Sequence, residues 1–135
     1  MSYREKSLAV LFVGLAGAFG FYFLMVLPPH AADVMPQHVA VFVAAIALLI
    51  ATQVIGHVLA LPGDRTLRTD ERDRLIALAA TRNGAYVLAC GVFAALCVAL
   101  VTPGNFAFTH VLLGAWVVAQ LVQTGSELVY HRRGT

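Results

Sequence analysis

Three sets of side chains in this 135-residue chain have types and spacings suited to chemistry. The densest is Asp70-Glu71-Arg72-Asp73-Arg74, followed by Arg82. Acids and guanidiniums this close pair with one another, Asp70 with Arg74 at i,i+4, or offer a charged face to something else. A solvated helix start that pairs with itself is the plain reading. The functional readings are a docking surface for a soluble partner, or an ion-pair latch to the tail residues Arg132 and Arg133. Mixed signs argue against a lipid-binding patch, which is mostly Lys and Arg.

The second set is polar and sits in apolar sequence, where such groups are expensive. Gln120, Gln123, Thr124, Glu127 and His131 fall along one helical face. Gln53 and His57 lie one turn apart with Thr52 beside them, and Arg82 and Tyr86 stand at a matching depth. Meeting across a bundle, these residues would form a polar layer. Hydrogen-bond glue between helices is its plainest use. A polar path or small-ligand pocket is the alternative, and a homodimer interface the third.

The third set, His30, Asp33, His38 and His110, supplies nitrogen and oxygen donors of the kind metals take. No two of the histidines stand at the i,i+3 or i,i+4 spacing of a preorganised helical site, and His30 and Asp33 fall in a connector, so ordinary interfacial histidines are the preferred reading. His57 is alone at its depth, which leaves a bis-histidine haem without a second ligand. No metal and no cofactor are expected. A phosphate loop, a nucleophile elbow, HExxH and CxxC are all missing, and no enzyme class is supported.

The elements that position these residues follow from composition. Hydrophobic residues make up 60% of the chain and charged residues 12%, with a mean hydropathy of +0.82. Soluble domains average about 45–50% apolar and about 25% charged. A chain this short cannot bury so much apolar surface inside itself, because its surface-to-volume ratio is too high. Lipid must be the solvent.

Four apolar segments, about 7–27, 39–61, 84–101 and 106–128, are each long enough to cross a hydrocarbon core of about 30 Å as a helix. The expected fold is an all-α integral membrane protein, a single domain over 1–135. It is a bundle of four transmembrane helices in two hairpins, with a loop over 62–83. Thr69 as N-cap, Asp70 and Glu71 in a first turn, and the apolar Leu75, Ile76, Leu78 and Ala79 predict a juxtamembrane helix before the third span. That helix either lies in the interface or runs straight on, Asn83-Gly84 being the natural break. The first segment is longer than a signal-peptide core and reads as an uncleaved helix.

All nine Lys and Arg are Arg4, Lys6, Arg65, Arg68, Arg72, Arg74, Arg82, Arg132 and Arg133. None falls in the connectors 28–38 or 102–105. The positive-inside rule then places both termini and the charged loop in the cytoplasm. These cations are too sparse, and too interrupted by acids, for nucleic acid. Cys90 and Cys97, about 10 Å apart along a helix, are too distant for a disulfide and read as small buried hydrophobes. Gly14, Gly17, Ala18 and Gly20, with Gly114 and Ala115, offer surfaces where helices can approach closely.

With Asp70-Glu71-Arg72-Asp73-Arg74-Leu75-Ile76 and Arg82-Asn83-Gly84-Ala85-Tyr86, the chain resembles a group of small uncharacterised bacterial membrane proteins. They share an Arg-Glu-Lys start, here Arg4-Glu5-Lys6, a DER(D/E)R loop, and an end like Tyr130-His131-Arg132-Arg133-Gly134. The group tends to be aromatic where this chain has Ala85. The resemblance implies four spans and, because such proteins are encoded beside small helix-turn-helix regulators, a signalling role. The expectation is a non-enzymatic, multi-pass protein of the bacterial inner membrane that senses or interacts. It is expected to self-associate, with a cytoplasmic protein partner at the Asp70–Arg74 face. A small transporter or channel subunit is the alternative, and a haem or redox protein the third reading.

Overall fold

The computed structural model describes residues 3–27, 33–60 and 71–133, with the backbone alone at 3, 57, 59 and 60. The chain forms four helices: α1 Tyr3–Val26, α2 Pro36–Ala60, α3 Glu71–Val101 and α4 Phe106–Arg133. All four are long and apolar enough to cross a membrane. No strand occurs among the described residues.

Local chemistry explains where the helices start and stop. Pro36 opens α2 at the position where its missing N–H costs nothing. His38 reaches back to accept the Met35 N–H at 3.0 Å, the reciprocal half of a capping box. Glu71 and Asp73 occupy the first turn of α3, and His131, Arg132 and Arg133 the last turn of α4, each charge suiting its end of the helix dipole. Between α3 and α4, Gly104 takes a φ of 75°, which a glycine adopts without a Cβ clash.

α3 is continuous over 31 residues. The break anticipated at Asn83-Gly84 does not occur. Both residues face α4, where Asn83 finds hydrogen-bond partners and Gly84 lets the neighbouring backbone close in. Thr69 and Asp70, expected to begin this helix, lie outside the described residues.

α1 packs against α2 and α4, and α4 packs against α3. Among the described residues no other pair of helices brings its backbones together, so the order across the molecule is α2, α1, α4, α3. One cluster joins the first three of these. Leu15, Phe19, Tyr22 and Val26 of α1 meet Ala45 of α2 and Phe106 and Val117 of α4. Phe19, 1% exposed, stacks edge-on to Trp116 at 5.8 Å. α3 is attached differently. Its buried Ala80, Gly84 and Ala95, with Gly91 against Ala115, make a seam of small residues. A Cβ on Gly84 would stand 2.9 Å from the Gln123 Cβ and 3.0 Å from the Ala119 carbonyl. In lipid no hydrophobic effect drives helices together, so close backbone packing has to supply the attraction.

Candidate functional site

The helix ends that carry the charges come together at one end of the molecule. The Arg4 guanidinium donates to Glu127 through Nε at 3.0 Å and also through a second nitrogen, tying the start of α1 to the last turns of α4. Glu127 is 8% exposed. His131, one turn further along, has Nδ1 3.6 Å from Asp73 of α3 and Nε2 3.9 Å from Glu127. Three helices are thus joined by the chain Arg4, Glu127, His131, Asp73. The latch was expected at Arg132 and Arg133, and both are exposed; among the described residues the approach of this tail to Asp73 is made by His131. A histidine that sits nearer the bilayer on the inner face of α4 reaches Asp73, and the last two arginines turn outward with the helix.

Just inside this layer, Asn83 donates to the Ser126 hydroxyl at 3.3 Å and to the Tyr130 hydroxyl at 3.1 Å. Gln123 donates to the Thr81 hydroxyl at 3.2 Å. Thr124 is buried, and Gln120 is half-buried on the same helix. Gln53 points elsewhere, donating to the Val10 carbonyl of α1 at 3.3 Å. The His57 side chain lies outside the description. Tyr86 and Arg82 are both exposed.

The single polar layer anticipated across the bundle is therefore divided. The α4 residues bond with α1 and α3, and Gln53 bonds with the Val10 carbonyl of α1. α2 never reaches α4 at this end, because the bulk of α1 stands between them. Arg4, Thr81, Asn83, Ser126 and Tyr130 belong to the bonded network and had not been assigned to the polar layer. Asn83 carried one signal: a polar residue one turn from Ala79 on the face of α3 that also bears Ile76 and Ala80.

On the outward side of α3 stand Glu71, Arg72 and Arg74, with Arg82 two turns on, and all four are exposed. Asp73 is drawn inward to His131. Asp70 lies outside the described residues. Leu75 and Leu78, each more than half exposed, share this outward surface.

The opposite end holds the other histidines. His110 gives its Nδ1–H to the Phe106 carbonyl at 2.8 Å, so in the neutral ring Nε2 accepts from the Tyr22 hydroxyl at 2.7 Å. His38 lies edge-on to His110 at 6.3 Å between ring centroids. The Asp33 carboxylate accepts the Asn105 N–H at 3.1 Å, and the Asn105 side-chain oxygen accepts the Val34 N–H at 2.8 Å, clasping the two connectors at this end. No group of three His, Cys, Asp or Glu close enough to hold a metal occurs among the described residues. His30 lies outside them.

Cys90 and Cys97, read as buried, are both exposed. Where the surroundings are hydrocarbon, a small apolar side chain gains nothing by turning inward. Comparison with protein-family models, with curated proteins and with solved structures gave no match.

Proposed function

We propose that this chain is a non-enzymatic interaction or sensing protein of the bacterial inner membrane, with both termini in the cytoplasm. Its outward α3 surface docks a cytoplasmic protein. One observation carries the reading. Arg72, Arg74 and Arg82 are exposed while Asp73 is turned away to His131, so the surface is cationic on balance beside Leu75 and Leu78. Such a surface suits an acidic partner segment with apolar residues of its own. Two supports are geometric. At 1.5 Å per residue α3 is about 46 Å long, against a hydrocarbon core of about 30 Å, so several turns project beyond the lipid. Those turns are braced by α4 through Asn83, Thr81 and Asp73, which holds the face in a fixed orientation.

Orientation rests on the cations: all nine Lys and Arg belong to the end where the termini meet or to the loop joining α2 to α3. Self-association belongs to the same proposal, since among the described residues the α2 backbone packs closely against α1 and no other helix. Transport draws less support, because at the charged end the described polar residues are paired between neighbouring helices and α2 does not reach α4.

The test is proximity cross-linking in intact cells, comparing the wild-type chain with Arg72→Glu plus Arg74→Glu. A partner whose cross-link falls at least tenfold on reversal, and returns when its own acidic segment is made basic, supports the docking face. Cross-links that are the same in both chains sink the idea.

A further inference from the structure

At the histidine end a furrow of about 500 Å³ lies over α4 between α2 and α3. Tyr22, His38, Phe42, Leu88, Leu113 and Trp116 are among its walls, which are almost wholly apolar. Its volume is within the range of ligand pockets, about 300–1,000 Å³. The helix order creates it: α2 and α3 flank α1 and α4 and do not approach each other.

His38 gives this furrow a specific chemistry. The residue is 8% exposed. Its Nδ1 accepts the Met35 N–H, which leaves no room for a proton there and fixes the ring proton on Nε2. That N–H has no acceptor among the described residues. Phe106 presents a ring at 5.1 Å, and both nitrogens of His110 are already engaged. Nε2 retains accessible surface, so an acceptor from the surroundings can reach it, and a donor with no partner inside the protein favours one.

We propose that the furrow holds one acyl chain of a bilayer lipid, whose ester carbonyl accepts the bond from His38 Nε2. His38 is in the first turn of α2, at the depth where a span meets the interface and lipid esters reside. An ester needs one donor, and one is on offer. A quinone ring, with carbonyls on opposite edges, asks for two. No Lys or Arg occurs in either connector at this end, so recognition goes to the ester and not to a phosphate. This site is at the far end of the molecule from the docking surface and is independent of it.

Trp116, the only tryptophan of the chain, lines the furrow and is 40% exposed, which makes it a reporter. The full-length protein in alkyl-glycoside micelles is titrated with phosphatidylcholine carrying brominated acyl chains, a quencher of indole fluorescence. Saturable quenching is expected, and the ether-linked brominated analogue should bind roughly 3–10-fold more weakly, the effect of one net hydrogen bond. Exchanging the headgroup for glycerol or ethanolamine should change nothing. His38→Phe should bind the ester lipid as weakly as the wild type binds the ether. Equal quenching by ester and ether in the wild type overturns the proposal, whether or not the variant folds. So does a strong headgroup dependence, or displacement by an isoprenoid quinone at lower concentration than by the ester lipid.

Discussion

At the residue scale, two polar contacts between α1 and α4 hold the bundle at its two ends. Tyr22 and His110 are one, Arg4 and Glu127 the other. Removing one member of a fully buried ion pair costs about 3–5 kcal/mol. The Arg4 side chain is about one-third exposed and retains access to water, so the cost here should be smaller. Glu127→Ala is expected to destabilise the protein by about 2 kcal/mol in a reversible unfolding titration in bicelles. Replacing both partners, Arg4→Met with Glu127→Leu, should recover much of that loss. Equal stability of Glu127→Ala and the wild type would show that the pair contributes nothing. Glu127 was singled out from sequence because a carboxylate is costly beside an apolar run. Its partner was not, since nothing in a linear pattern relates position 4 to position 127.

At the scale of elements, the seam between α3 and α4 differs in kind from the aromatic cluster joining α1, α2 and α4. Ala80, Gly84, Gly91 and Ala95 repeat on one face, and the absence of side-chain bulk there brings Ala115 and Ala119 close. A larger side chain at Gly91 has to displace the Ala115 side chain and backbone. Gly91→Leu should therefore cost about 1–3 kcal/mol in the same titration, as overpacking does. Gly17, whose position opens on nothing within 4 Å, should accept leucine within about 0.5 kcal/mol. Equal costs at the two positions would contradict the seam. The sequence pointed at Gly14, Gly17 and Gly20 because glycines crowd α1. Only Gly14 among them meets another helix, at Thr52 and Gln53. Small residues mark possible contacts, but which ones are used depends on how each helix is rotated about its axis.

At the scale of the whole molecule, four helices are long and apolar enough to cross and the start of α1 meets the end of α4, so an even number of crossings and a shared side for these two helix ends go together. In the proposed topology that side is the cytoplasm, by the distribution of Lys and Arg. A fluorescent protein fused after Thr135 should fluoresce in the cytoplasm, and alkaline phosphatase at the same place should be inactive. A cysteine replacing Gly104, in a chain with Cys90→Ala and Cys97→Ala, should react with an impermeant thiol reagent from outside. A reagent that reaches it only after lysis would reverse the orientation, and the cytoplasmic docking surface with it.

Composition and periodic apolar runs by themselves determined that this chain is four membrane-length helices. The reason is that unpaired backbone groups and charges are so costly in hydrocarbon that span length and polarity leave little freedom. Within lipid that constraint disappears, because an apolar side chain is as well solvated facing outward as inward, as Cys90 and Cys97 illustrate. Helix order, the splitting of Gln53 from Gln123, the pairing of His131 with Asp73 and the furrow beside His38 were decided only in three dimensions. They depend on which surfaces fit closely enough for dispersion and hydrogen bonds to act, and that fit is a property of helix rotation and neighbours that no single segment encodes.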